Sequence, residues 1–156
     1  MDKAVILTNI TKVFRESPIK ETVALRQVDL EIAAGEFFVI LGPSGSGKST
    51  LLRVMSGLDT LHQGKAELGA DRKKSEVGFV FQQFALLPWL SVYENVELGL
   101  LAKGVPDHKR KEIVVRELKQ FGLEKFADSH PKELSGGMRQ RVGLARALAI
   151  DPKIIF

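Results

Sequence analysis

The sequence predicts an α/β fold, and three observations carry that prediction. A continuous apolar run, "EFFVILG", leads straight into a glycine-rich turn that opens a helix; buried strand, tight turn and helix in that order are half of a βαβ unit. Two stretches rich in Val, Ile, Leu and Thr precede it, residues 5–14 and 22–32, the composition of strands. Beyond it, residues 91–149 carry apolar positions at helical spacing.

Taken in order, the two N-terminal strands flank the turn-like, charged "RESPIKE", and the alternation in "VDLEI" wets one face of the second. Residues 36–42 read as a strand buried on both faces, and the helix after it ends near Gly57. "KAEL" and "VGFVF" read as further strands, followed by a loop from Gln82 to Leu90 that holds "LLPW". Ser91 is placed to cap a helix through Leu101, with Glu94 completing a capping box. Asp107 is placed to cap a second helix through Phe121, in which Val114, Leu118 and Phe121 share a face. After "SHPKE", Ser135 starts a third helix to about Ala149, with Val142, Ala145 and Ala149 on one side. "KIIF" opens another buried strand. The pattern reads as one compact unit with a helical lobe at about residues 91–133 on an α/β core.

Composition narrows the class. With 44% hydrophobic and 27% charged residues the chain can bury a core, so disorder is excluded. The net charge of +4 comes from scattered Lys and Arg, which read as solvated faces rather than a nucleic-acid patch. No cysteine is present, so no disulfide or thiolate metal site is available. No stretch has the length of a signal peptide core or a membrane span, so the chain reads as cytoplasmic.

"GPSGSGKST" fits G-x-x-x-x-G-K-[ST] without a mismatch. A phosphate chain needs many donors at close range. Gly42, Pro43, Ser44, Gly45, Ser46, Gly47, Lys48, Ser49 and Thr50 form a loop whose backbone N–H groups can converge, backed by the positive end of the following helix. Lys48 would reach the β and γ phosphates of a nucleoside triphosphate, and the Ser49 hydroxyl would ligate Mg²⁺. A second helix start, "LSGGMRQRVGLARAL", puts Ser135, Gly136 and Gly137 where another anion could be met.

Together with "VGFVFQQ" and "LLPWLSVYENV", in this order over essentially the whole chain, these motifs resemble the nucleotide-binding domain of ATP-binding cassette (ABC) transporters. The resemblance implies a P-loop NTPase core with an antiparallel β subdomain and a helical subdomain. It implies ATP and Mg²⁺ as ligands, and two domains closing head to tail so that Ser135, Gly136 and Gly137 contact the γ-phosphate held by the P-loop of a second subunit, a copy or a relative. Gln82 matches the Q-loop glutamine, which touches Mg²⁺ and the attacking water. Phe14 matches the aromatic residue that stacks on adenine, with a core strand Phe as the alternative. "LLPWLSVYENV" looks like the surface that receives the membrane permease, although Trp89 and Leu90 could equally be lobe core. Such a subunit sits on the inner face of the cell membrane and serves a solute-binding protein through the complex, with no nucleic acid. "ALLPW" and "LSGGM", with Met138, are most similar to the nitrate, sulfonate and taurine importers, ahead of those for glycine betaine.

The family's Mg²⁺-binding Asp, catalytic Glu and γ-phosphate-sensing His are not matched here. Asp128 and Asp151 do not replace them, since they lie in turns before the signature and after its helix. The resemblance therefore makes residues 1–156 the N-terminal two-thirds or so of such an ATPase, with hydrolysis absent from this piece. Alternative readings are an ABC-type ATPase of nucleic-acid or ribosome function and a catalytically dead nucleotide-binding protein. Only some fifty residues separate Gln82 from Ser135, without sustained heptads, which argues against the chromosome-associated branch.

Overall fold

β-branched and aliphatic residues dominate the first thirty positions, and they form a long antiparallel ribbon of β1 (Lys3–Ser17) and β2 (Lys20–Ala33). A computed structural model describes residues 2–17, 20–69 and 76–156 of the chain. Its backbone contacts gather into two units, Met1–Lys74 and Ser75–Phe156. The turn expected within "RESPIKE" lies partly outside the described residues.

In the first unit the ribbon slips register between Leu7 and Ile10. Asn9 and Gln27 both adopt left-handed φ there, 49° and 48°. Side chains replace the lost ladder bonds: the Asp29 carboxylate accepts from Asn9 N–H at 2.7 Å, and Thr11 Oγ1 from Gln27 N–H at 3.2 Å. With both of these N–H groups bonded, the irregularity is a bulge rather than a break in the ribbon. The expected alternation in "VDLEI" is present, with Asp29 and Glu31 exposed and Ile32 buried. α1 (Lys48–Met55) follows, and "KAEL" becomes part of β3 (Gln63–Leu68), which pairs with β1 to give the order β2-β1-β3.

One buried cation joins these pieces. Lys12, only 5% exposed on β1, donates to Asp59 Oδ1 at 2.6 Å and to Thr60 O at 2.7 Å in the segment after α1. The same contact holds the Asp59 carboxyl below its ordinary value of 3.8, Lys12 being the main cause.

In the second unit α2 (Val92–Ala102), α3 (Asp107–Gln120) and α4 (Gly136–Ala149) enclose a core of Val92, Val96, Leu100, Val114, Leu118, Leu123, Leu134, Val142, Ala145 and Ala149. The three- and four-residue intervals put one apolar stripe on each helix. α2 and the end of α4 meet closely at Gly99, where a Cβ would lie 2.6 Å from Ile150 Cγ2. The Ser91–Glu94 capping box forms as the sequence predicts. The next free donors of that helix end are also used, Val92 N–H by Ser129 O and Tyr93 N–H by Ala127 O, both at 2.9 Å. β4 (Val77–Gly78) and β5 (Ile154–Ile155) pair in parallel. Bonds from Lys153 N–H to Glu76 O and from Val80 N–H to Phe156 O extend this short ladder. "VGFVF" is thus a strand over fewer residues than its composition predicts.

Two expectations fail. Residues 36–42 form no strand: Phe37 is 93% and Leu41 87% exposed. An apolar run has the propensity for a parallel strand but cannot supply its own hydrogen bonds, and no strand among the described residues pairs with this one. Asp107 is the first helical residue of α3 and Pro106 holds the cap position, without a side-chain bond. The Asp107 carboxylate instead bonds forward to Arg110 at 3.0 Å and Lys111 at 2.9 Å. Phe121 follows the last turn of α3 and packs partly buried against the core.

A lowered carboxyl pKa stabilises the fold fully above the unfolded value and less as pH falls through that value toward the folded one. For Asp59 the loss begins near 3.8 and continues downward. Asp59→Asn leaves Lys12 buried without its anion at every pH, so the variant is less stable throughout. Denaturant titrations from about pH 5 to pH 3 are expected to show the gap between wild type and variant narrowing as pH falls.

Candidate functional site

The glycine loop lies in the first unit, where it enters α1. Gly47 caps that helix at φ 91°, and its Cβ position is 2.5 Å from Ala24 O on β2, so only glycine fits. Gly45 also has a positive φ, 79°, but faces open space. Leu51 N–H bonds to Gly47 O at 2.8 Å, which starts the helix and leaves its first N–H groups without intrahelical acceptors. Lys48 folds back over the loop. Its ammonium donates to Gly42 O at 2.9 Å, Pro43 O at 2.7 Å and Ser46 Oγ at 3.3 Å. A cation, unpaired helix-end donors and the hydroxyls of Ser44, Ser46, Ser49 and Thr50 share this exposed segment. Such a cradle suits a polyphosphate.

Phe14 is 40% exposed on β1, so it is not a core phenylalanine. Behind it the Lys12 ammonium lies 5.0 Å from the ring centroid, a cation–π contact that steadies an exposed aromatic face.

The second unit holds the other candidates. Ser135 caps α4, its Oγ accepting from Met138 N–H at 3.3 Å. Gly136 and Gly137 follow, and a Cβ at either would meet nothing within 4 Å. Glycine within a helix costs about 1 kcal/mol relative to alanine, and nothing inside the described structure requires it at these two positions. The backbone there is left bare and approachable. Gln82 is exposed in a turn closed by Phe84 N–H to Phe81 O at 2.9 Å. A tighter turn follows at once, Ala85 N–H to Gln83 O at 2.7 Å, with Phe84 at φ 60° and Ala85 at φ 44°. Asp128 and Asp151 are exposed, in the turns where the sequence places them.

Sequence reasoning missed two side chains that hold these loops. Arg146 on α4 donates one N–H to Ala85 O and another to Phe84 O, both at 2.7 Å, and its burial lowers its pKa. Two left-handed non-glycine residues cost on the order of 1–3 kcal/mol each, and two hydrogen bonds to a charged group contribute about 1.5–3 kcal/mol each, so the clamp offsets the strain. A lone arginine in the small, apolar "VGLARALA" was the available signal. Asn95, fully buried on α2, accepts from Leu87 N–H and donates to Leu87 O, Leu90 O and Ser91 O. With "LLPWLS" pinned in this way, Trp89 points out at 70% exposure and is not lobe core, while Leu90 is half-buried.

An antiparallel β part, a glycine loop opening a helix and a helical part headed by a second glycine pair define an α/β protein of the P-loop class. The family model described as ABC transporter matches residues 25–156. The chain is 46% identical over 151 residues to an uncharacterized ABC transporter ATP-binding protein of Methanocaldococcus jannaschii, covering 95% of this chain and 56% of that protein. It is 47% identical to a probable sulfate/thiosulfate import ATP-binding protein of Chlorella vulgaris, covering 98% and 65%, and 41% identical to a nitrate import ATP-binding protein of Synechocystis, covering 96% and 57%. A solved ATP-binding cassette, dimeric and bound to ADP and Pi in a post-hydrolysis state, superposes with a TM-score of 0.86 at 41% identity, over 97% of this chain and 72% of that one. The chain belongs to the ABC transporter family. It spans 56 to 65% of the length of these curated relatives.

The two loop glycines separate conformational strain from steric exclusion. Gly45→Ala is expected to cost about 1 kcal/mol through its φ alone, whereas Gly47→Ala also drives a Cβ into Ala24 O and should cost roughly 3 kcal/mol or more. Chemical denaturation of the two variants checks the order.

Proposed function

We propose that this chain is the nucleotide-binding part of an ATP-driven importer, and one observation carries the reading. The Lys48 ammonium lies across the glycine loop at the start of α1, bonded only to acceptors of that loop. A phosphate chain entering the loop offers stronger, charged acceptors, so the ammonium exchanges neutral partners for the β and γ phosphates. Gly42, Pro43, Ser44, Gly45, Ser46, Gly47, Ser49 and Thr50 form the rest of the cradle, and Phe14 is the proposed platform for adenine.

Among the described residues no three His, Asp or Glu side chains converge on a metal position. Mg²⁺ is proposed to bind mainly through phosphate oxygens and water. The Ser49 hydroxyl and the Gln82 amide oxygen are each hard donors of the right kind, and each is proposed as a ligand on its chemistry and the family resemblance. When bound it neutralises charge on the β and γ phosphates. Gln82 also orients the attacking water. Asp128 and Asp151, exposed in their turns, are not proposed as the base that polarises it, and the polypeptide of residues 1–156 is proposed to bind nucleotide without turning it over.

Ser135, Gly136 and Gly137 are proposed to bind the γ-phosphate held by a second subunit, identical or related. The bare backbone at the glycine pair supports this, and so does the dimeric state of the solved relative. The exposed Trp89 and its clamped segment are the proposed seat of the membrane permease. Among the described residues no helix is long and apolar enough to cross a membrane, and we place the subunit at the inner face of the cell membrane, bound to its permease and served through it by a solute-binding protein. The solute is proposed to be nitrate, a sulfonate, taurine or a similarly small species. Met138 and "ALLPW" support that choice.

Displacement of a fluorescent ATP analogue tests the reading. Lys48→Ala is expected to weaken Mg·ATP binding about 10- to 100-fold, the worth of one charged contact, with no phosphate release above background from the 156-residue polypeptide. Undiminished affinity in Lys48→Ala would sink the proposal.

A further inference from the structure

Gln82 does not hold its own position. It lies in the Phe81–Phe84 turn, which shares Gln83 and Phe84 with the tighter turn that follows. Phe84 and Ala85 both have left-handed φ without being glycine, and β-region or right-handed conformations are open to each of them. Relaxation of either would redirect the Gln83 carbonyl and with it the Gln82 side chain. Their carbonyls are held instead by a residue more than sixty positions away in sequence, through separate Arg146 nitrogens at 2.7 Å each. The guanidinium meets these two carbonyls with donors on two separate nitrogens in a rigid fork, whereas an ammonium presents its three donors from one rotatable nitrogen.

Arg146 is also ten residues beyond Gly136 on the same continuous helix, about 15 Å along its axis. The helix that presents the glycine pair at its start therefore grips, near its end, the turn that follows Gln82.

We infer that Arg146 is a positioning residue for Gln82: by clamping Phe84 O and Ala85 O it fixes the orientation of the glutamine and ties it to the helix that bears Gly136 and Gly137. Displacement of α4 by a ligand at its glycine end is carried by the clamp to the turn next to Gln82. The inference rests on the role proposed above for Gln82, and it adds a residue that acts through the turn it clamps.

The test uses the whole protein in its membrane complex, with ATP turnover measured for Gln82→Ala, Arg146→Met, Arg146→Lys and the double variant Gln82→Ala/Arg146→Met. A misplaced glutamine costs about tenfold or more in kcat, with KM for ATP within about twofold because the phosphate loop is untouched. Arg146→Lys keeps the charge on a shorter side chain with one nitrogen in place of the two-nitrogen fork, so it should lose kcat in the same direction as Arg146→Met, and it carries the test if the methionine variant does not fold. The double variant should be no slower than Gln82→Ala alone. Wild-type kcat in Arg146→Met, or in Arg146→Lys where the methionine variant does not fold, beside a slow Gln82→Ala overturns the inference and leaves the Gln82 role standing. A further loss in the double variant also overturns it. Wild-type kcat in Gln82→Ala overturns the Gln82 role itself, and this inference with it.

Discussion

A backbone carbonyl that leaves regular structure must still find a donor, and the functional loops of this chain depend on how that requirement is met. Lys12 reaches Thr60 O, Lys48 reaches Gly42 O and Pro43 O, Asn95 reaches Leu87 O, Leu90 O and Ser91 O, and Arg146 reaches Phe84 O and Ala85 O. Each donor stands on a strand or helix and each acceptor lies in a loop. The regular elements thereby set loop geometries that the loop sequences could not hold alone. Among the described residues no fully buried side-chain polar atom lacks a partner.

The same arrangement divides the chain by rigidity. The apolar core of the second unit, with Val92, Val96, Val114 and Val142 fully buried, has little room for alternatives. The strained turn beyond Gln82 is held by two hydrogen bonds, and the lysine of the glycine loop by contacts to the loop itself. Groups held by a few polar contacts can exchange partners when a charged ligand arrives, whereas a packed core moves as a block. α4 combines both in one helix: its middle packs in the core, its start is bare at Gly136 and Gly137, and its far end carries Arg146.

Much of this was legible in the sequence because the determinants are local. The Ser91–Glu94 box, the Ser135 cap, the stripes on α2 and α4 and the glycine loop depend on residues three or four apart or on contiguous backbone. The misreadings have non-local causes. Residues 36–42 have the composition of a buried strand, yet a strand is defined by its neighbours. Asp107 has the chemistry of a cap, yet Arg110 and Lys111 compete for its carboxylate. The orientation of Trp89, by contrast, was left open by the sequence, and the structure exposes it in a segment whose Leu87, Leu90 and Ser91 carbonyls Asn95 holds.

The sequence by itself determined the class of fold, the glycine loop and the family, because these reside in short motifs whose backbone demands are met within a few residues. The tertiary structure alone decided which polar side chains close the loops: that Lys12 backs Phe14, that Asn95 holds the carbonyl of Leu90 beside the exposed Trp89, and that Arg146 grips the turn beyond Gln82. The reason is physical. A side chain's donors are known from its chemistry, but the carbonyls within reach lie up to 62 residues away, and only folding brings them together.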